Sequence, residues 1–421
     1  MVPGSSPGGP TRKANPHQQW WGFCLFKYAD MHYLNQMSKN NSTVHHYVPQ
    51  WYQHLFIPQS TQDKRYHRLD LNPEKIWIDK KRFFTHNSIK LLGPVSCFQE
   101  DDLYTLFFGK DADDILERNF FGDIDRRGSK AVQFFNNWEM ASGSGQMLQD
   151  LVRYLDAQKM RTPKGLDFLK KTVGVELKRD LLFWMARLWQ INCTIWMEGI
   201  WEILDCRDSP THFIVSDNPL TTYNKNLFPL SSQCQYPFDA PIGMLGTHTI
   251  FPLGPTKLLV ITNLGYVRNP DVNRLKEREN PRQFAQTLFD LRKIQTGRAL
   301  KEEDVIAINY ILKSRSRKYI ASSEKEWLFP EKYMPSKMWD KLGDKFFLMP
   351  DPRKVSFSTD TVVGYKDGSA WGMDEYGRRS TQNGKAAEAL RRIEFRTFEK
   401  HKALWDSCFG KLDIHELRKY W

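Results

Sequence analysis

The stretch Leu181–Leu204, LLFWMARLWQINCTIWMEGIWEIL, is the segment whose reading decides the fold class. Leu181, Met185, Leu188, Asn192, Ile195 and Gly199 recur at spacings of four and three, which aligns them as one helical stripe. That pattern predicts one long helix. Arg187, Glu198 and Glu202 would sit at bilayer depth if the helix crossed a membrane, so the expectation is a buried helix and no membrane association. Asn192 falls on the apolar stripe and needs a hydrogen-bond partner there.

Strands are expected on both sides of this helix. His212–Leu220 (HFIVSDNPL) reads as a short β-type run ending in a turn, and Thr249–Asn263 as two strands joined by a Gly-Pro turn. Arg65–Ile78 reads as strand, turn and strand, with the turn at Asp70-Leu71-Asn72-Pro73. Helical character is expected over Asp111–Trp138, over Gln146–Met160 and over Arg282–Tyr319, the last with a break near Gln295–Leu300. Pro163 disfavours helix at the residue before it and stops the second of these. A final amphipathic helix is expected from about Lys385 to Trp405. No regular βαβ alternation is present. The fold class expected is α+β, mainly helical, with a small antiparallel or mixed sheet.

The organisation expected is a largely disordered extension over residues 1–40, an α+β domain over 41–325 and a C-terminal extension over 326–421. The first residues, MVPGSSPGGPTRKANPHQ, cannot bury a core and do not resemble a signal peptide. Met37 lies just upstream of the first motif, which leaves open whether the preceding residues are an appendage.

The 421 residues carry a net charge of +12. Such an excess favours acidic partners: nucleic acid, a phosphate-containing ligand or an anionic membrane face. It is spread along the chain, which weakens the nucleic-acid reading. The six cysteines are scattered without a C-x-x-C pair, as expected of reduced thiols in the cytoplasm.

Three motifs carry candidate chemistry. In Val44-His45-His46-Tyr47-Val48-Pro49-Gln50, adjacent histidines on a strand point to opposite faces, so one of them enters a given site. His46, next to the rigid Val-Pro step, is taken as that one. Ser216-Asp217-Asn218-Pro219 closes a β-type run, where Asp217 suits a general base or an orienter of histidine and Asn218 suits oxyanion contact. An Asx-turn explains the same residues equally well. Arg161-Thr162-Pro163 offers a guanidinium at a helix end, fit for a phosphate or for capping. The acids Asp111, Asp113, Asp114, Glu117, Asp123 and Asp125 read as a solvated helix start more readily than as a metal site, and no metal ligand is assigned. The run Lys313–Lys318 reads as a solvated basic face that could meet phosphates. No GxxxxGK[ST], HExxH or GxSxG pattern occurs, which removes support from the commonest nucleotide-binding, zinc-protease and α/β-hydrolase readings.

Together, the run His45–Phe56, Arg161–Pro163 and Ser216–Pro219 resemble the uncharacterised domain-of-unknown-function family DUF4238. Ile250-Phe251-Pro252-Leu253 and the helix through Ala307, Asn309 and Lys318 resemble its closing segment, so the resemblance covers about residues 41–322. That family tends to carry a glutamate in its first helical region, where this chain has Asp125. The resemblance implies a shared fold and site but no reaction.

The functional expectation is a hydrolase or transferase, nuclease-like, acting on a phosphate-containing or nucleic-acid substrate. His46 would be the general acid or base and Asp217 would orient it or bind a metal. Arg161 and Asn218 would stabilise developing charge. His45, Ser216 and Arg317 would contact substrate, with the cofactor unspecified. The alternative is a non-enzymatic binding or interaction module in which the same motifs build the fold.

Overall fold

Alternating apolar residues and fixed turns build two four-stranded sheets, and helices cover them. The computed structural model describes residues 44–58, 63–78, 83–85, 87–108, 111–113, 120–138, 145–278, 284, 289–344, 346–357, 361–373, 385–413 and 415. The expected disorder of residues 1–40 and the candidate acids Asp114 and Glu117 lie outside them.

Strand β1 (Val44–His46) pairs antiparallel with β6 (Gln99–Asp101), with His45 opposite Glu100. Pro49 ends β1 because it cannot donate to a ladder. Its carbonyl instead accepts the amides of Tyr52 and Gln53, both at 3.1 Å, and starts α1 (Gln50–His54). The first four-stranded sheet runs β10 (Val215–Ser216), β14 (Tyr319–Ser322), β2 (Tyr66–Asp70), β5 (Ile89–Leu92). The second runs β11 (Thr221–Tyr223), β12 (His248–Pro252), β13 (Lys257–Asn263), β9 (Gly199–Asp205). Three two-stranded ribbons complete the strands: β3 (Lys75–Trp77) with β4 (Phe83–Thr85), β7 (Leu106–Phe108) with β8 (Asp111–Asp113), and β15 (Thr361–Gly364) with β16 (Ala370–Met373). Every ladder among the described strands is antiparallel. The α+β expectation is met by these small antiparallel sheets.

Helices α2 (Gly122–Asn136) and α3 (Gly145–Arg161) pack closely on each other and on the second sheet. Their approach depends on Gly128, where a Cβ would lie 2.5 Å from Cδ2 of Tyr154. Phe135 meets Trp201 of β9 at a ring separation of 5.9 Å, and Tyr52 stacks on Phe251 of β12 at 5.3 Å. The break after α3 follows from local chemistry. Thr162 caps α4 (Pro163–Val173), its hydroxyl accepting the Gly165 amide at 3.1 Å, and Pro163 occupies the first turn, where its missing N–H costs nothing. Gly174, at φ 73°, closes the helix in the left-handed conformation.

The long helix expected over 181–204 is two short helices and a strand. Helix α5 (Lys178–Leu188) stops, Gln190 turns the chain at φ 75°, α6 (Cys193–Met197) comes next, and β9 begins at Gly199. Pairing of Ile200–Leu204 with β13 overrides the helical period. A Cβ on Gly199 would sit 2.6 Å from Cγ2 of Ile261, so only glycine admits that strand contact. Asn192 finds its expected partner: its Nδ2 donates to Asp156 at 2.8 Å. Two further helical spans shrink. Among the described residues of 111–138 the α-helix is Gly122–Asn136 and Asp111–Asp113 is strand, while 114–119 lie outside them. Among the described residues of 282–319 the α-helix is α8 (Glu302–Arg315), preceded by a short turn at Leu291–Lys293, and Tyr319 opens β14, while 282–283 and 285–288 lie outside them.

The C-terminal segment is tied to the sheets. Arg298 donates to Glu202 of β9 at 2.5 Å and to the carbonyls of Phe346, Phe347 and Met349 at 2.8–3.0 Å. Gln295 exchanges two hydrogen bonds with the Asp351 backbone, at 2.9 and 2.7 Å. Helix α7 (Leu264–Arg268) and helix α9 (Lys385–Phe409) pack together, with Phe398 and Trp405 of α9 buried beside Leu264 and Val267. No helix among the described residues is long and apolar enough to cross a membrane.

Candidate functional site

Strand alternation separates the two histidines of β1. His45 faces inward and is fully buried, and His46 is half-buried on the other face. His45 Nδ1 accepts the backbone amide of Tyr104 at 2.9 Å, and the two rings stack at 5.3 Å. An Nδ1 that accepts an N–H carries no proton, so the neutral ring is the Nε2–H tautomer. His46 Nε2 lies 3.1 Å from the Val95 carbonyl, and Gln50 Nε2 approaches both of its ring nitrogens at 3.3–3.4 Å. Burial lowers the His46 pKa, against the pull of the Val95 and Pro94 carbonyls.

The first motif reaches Arg161 through α3. Gln158 Nε2 donates to the Tyr47 carbonyl at 2.9 Å, and Gln158 Oε1 accepts from Arg161 Nε at 2.8 Å. Arg161 Nη1 then meets both carboxylate oxygens of Asp125, at 2.9 and 3.0 Å. The shorter acid at position 125 therefore still spans the distance. The Arg161 guanidinium is 1% exposed and lies between the rings of Phe121 and Tyr154, at 5.4 and 5.7 Å. Tyr104 donates its hydroxyl to the Arg161 carbonyl. Burial works to lower the Arg161 pKa, but Asp125 and the neighbouring tyrosines raise it, so the cation persists.

Asp217 is 2% exposed. Its carboxylate accepts the backbone amides of Arg317, Lys318 and Tyr319 at 2.8, 2.5 and 2.8 Å, and its own amide donates to the Tyr319 carbonyl at 3.0 Å. It thus holds the junction between α8 and β14. Burial raises its carboxyl pKa, while the three amides and Lys164 pull it down. Ser216 Oγ accepts the Asn218 amide at 3.2 Å, and Asn218 Nδ2 donates to the Arg315 carbonyl at 3.4 Å. Arg317 Nε donates to Tyr236 Oη at 3.1 Å, and its Nη1 lies 3.7 Å from Glu100.

The second and third motifs meet at residues that sequence reasoning missed. Lys164 Nζ donates to the Arg315 carbonyl and to Asp239, both at 2.7 Å. Arg315 Nε donates to Asp239 at 2.8 Å, and Lys159 lies 3.5 Å from the same carboxylate. Burial works to raise the Asp239 carboxyl, but Lys164, Arg315 and Lys159 hold it far below the carboxylate range. Burial pushes the Lys164 amine down to about 8. Lys164 directly follows Arg-Thr-Pro, which is a usable signal. Asp239 sits in a Pro-rich loop without any. The first and second motifs adjoin at Tyr47, whose phenol is pushed up by burial, then by Asp217 and Glu100.

The three motifs therefore converge, but through His45, Gln158, Lys164 and Asp239, with His46 on the opposite face of β1 and the Asp217 carboxylate engaged by backbone amides. The run Lys313–Lys318 is also partnered: Lys313 pairs with Glu331 at 2.8 Å, and Arg315 with Asp239. Asp123 pairs with Arg127 at 2.9 Å, in keeping with a solvated helix start. Among the described residues no group of His, Cys, Asp or Glu is arranged to hold a metal ion.

Residues 178–326 match a family model described as "Protein of unknown function (DUF4238)". That is the family the motifs resemble. The matched span contains Ser216–Pro219 and α8, and lies C-terminal to His45 and Arg161. No curated protein and no solved structure matches the chain.

Proposed function

We propose that this chain is a non-enzymatic binding or interaction module, and that its three motifs build the domain. The observation that carries this reading is the Asp217 carboxylate, which accepts three backbone amides at 2.5–2.8 Å. A general base needs a lone pair directed at substrate. Here both oxygens are committed to the backbone. Four buried free thiols, Cys97, Cys193, Cys206 and Cys234, support a reducing, cytoplasmic setting for the module. Burial raises the pKa of each, which leaves them poor nucleophiles.

The test is Asp217→Ala combined with chemical denaturation. Three backbone amides lose an acceptor that is itself buried, and a loss of about 3 kcal/mol is expected. A variant that keeps wild-type stability but abolishes a measurable activity would overturn the reading.

A second reading, transfer or hydrolysis at a phosphate-containing substrate or nucleic acid, is favoured by one observation. Lys159, Lys164 and Arg315 surround the carboxylate of Asp239 next to Asn218, and with Asp217 also near Lys164 three cations meet two acids there, so positive charge is in excess. A screen of phosphomonoesters and single-stranded DNA and RNA tests it. Turnover lost in Lys159→Met with stability unchanged would support it, and no turnover on any of them would remove it.

A further inference from the structure

A cavity of about 240 Å³ lies between the start of α8 and the segment 326–333, away from the motif cluster. Its walls include Glu302, Glu326, Trp327, Tyr333, Thr211 and Ile306. Its lining has no lysine, arginine or histidine, although the chain carries a net charge of +12. The polar atoms of the amide at its base are already committed: Asn309 Nδ2 donates to the His212 carbonyl at 2.8 Å and Oδ1 accepts the Ile214 amide at 3.2 Å. Among the described residues neither the Glu302 nor the Glu326 carboxylate forms an ion pair. Thr211 donates its hydroxyl to Oε1 of Glu302 at 2.8 Å, which orients that acid without cancelling its charge. Glu326 is exposed at the rim. His212, whose ring lies 5.0 Å from that of Trp327, is held toward its neutral form by burial.

We infer that this cavity binds a small organic ammonium ion, between the Trp327 and Tyr333 rings and beside the Glu302 and Glu326 carboxylates. Aromatic faces attract cations through the ring quadrupole, and Trp does so best. Two carboxylates supply the counter-charge, and Ile306 with the rings supplies the apolar contact that an alkylated ammonium needs. Metal ions fit less well, because a hard cation demands several converging oxygens. The volume lies below the range of about 300–1,000 Å³ that suits drug-sized ligands, so the ligand is a single ammonium headgroup with a short chain. Both a free amine and the side chain of a lysine or methylated lysine have this chemistry.

The experiment titrates the full chain with choline and, separately, with 3,3-dimethyl-1-butanol, its uncharged isostere, and reads binding by ligand-observed NMR. Saturable binding of choline with at least tenfold weaker binding of the isostere is expected. Glu326→Gln, an exposed position that leaves the fold intact, should weaken choline binding severalfold, and Trp327→Leu should weaken it tenfold or more. A peptide carrying trimethyllysine is the second arm: tighter binding than choline identifies a peptide source, and weaker binding a free amine. Equal binding of choline and its isostere, or choline binding unchanged in both variants, would overturn the inference. So would the absence of saturable binding. The outcome is independent of whether Asp217 proves structural.

Discussion

Lys164 and Asp239 meet at 2.7 Å in an interior junction that brings the residue after Arg-Thr-Pro against the end of α8. The pair is buried on both sides, with exposures of 5% and 8%. Three cations depend on this one carboxylate.

Asp239→Asn removes the carboxylate that Lys164, Arg315 and Lys159 share. Breaking a buried ion pair from one side typically costs about 3–5 kcal/mol, and that loss is expected at neutral pH. The pH dependence comes from the depressed carboxyl. Its stabilisation is present above the ordinary value of 3.8 and is lost as pH falls below it into strong acid. Urea unfolding of wild type and variant should therefore converge in acid. Curves that stay parallel down to strong acid would refute this role.

Arg161 joins Gln158 to Asp125 with two different nitrogens. Arg161→Met strands a carboxylate beside an apolar pocket and should cost about 3–5 kcal/mol. Arg161→Lys keeps the charge but cannot form the fork, and should cost about 2 kcal/mol. Asp125→Glu should fold. Denaturant midpoints rank the three variants, and equal stability of Lys and Met at position 161 would exclude the fork argument.

His248 is buried in β12, its Nδ1 2.9 Å from the Thr262 hydroxyl, and burial pushes its pKa from 6.5 down to about 4. The neutral ring is the folded form. Its contribution is present above 6.5 and lost as pH falls through 4, which amounts to about 3 kcal/mol at one pH unit per 1.36 kcal/mol. His248→Asn should show a shallower fall in unfolding free energy over that window than wild type does. An unchanged slope would assign the acid sensitivity elsewhere, His401 being the next group to examine because burial also pushes it to about 4.

Gly128→Ala places a methyl against the Tyr154 ring, whose Cδ2 is 2.5 Å from the ideal Cβ position. The ring is fully buried and cannot yield freely. A cost of about 1–3 kcal/mol is expected, read as a lower thermal midpoint. Gly174→Ala is the control: its Cβ meets no atom within 4 Å, and only the φ of 73° opposes it.

Much of the fold was legible where local chemistry and tertiary packing agree. Pro163 marks a helix stop by disfavouring helix at the residue before it, and the structure ends α3 at Arg161; the start of α4 at Pro163, capped by Thr162, was not read from the sequence. The strands His248–Pro252 and Lys257–Asn263 accord with β-rich composition around a Gly-Pro turn. Over 181–204 the two diverged. Leu181, Met185 and Leu188 do lie on a helix, but the left-handed Gln190 gives no sign of itself, and β13 claims Ile200–Leu204 by pairing at long range. The histidine pair has the same limit. A strand period requires one to face inward, but which one depends on β6, fifty residues away, and β6 turns His45 toward Tyr104. Asp239 was invisible because its importance comes wholly from partners at 159, 164 and 315.

The cradle of carbonyls around Arg298 makes the last part of the chain a lid screwed to the domain rather than a trailing end. A protease nick in the loops between Tyr333 and Asp344 would leave two pieces still clasped, because Arg298 and Gln295 grip the backbone at 346–351 from one side while Trp339 binds the Asn224 carbonyl at 2.9 Å from the other. The nicked protein should elute at its original size and separate only in denaturant. In a fragment ending at residue 326 Arg298 would keep Glu202 of β9 but lose the three carbonyls of Phe346, Phe347 and Met349, leaving its guanidinium half-partnered beside the sheet. Residues 178–326 and the segment C-terminal to them lie within one compact unit, Asn40–Trp421.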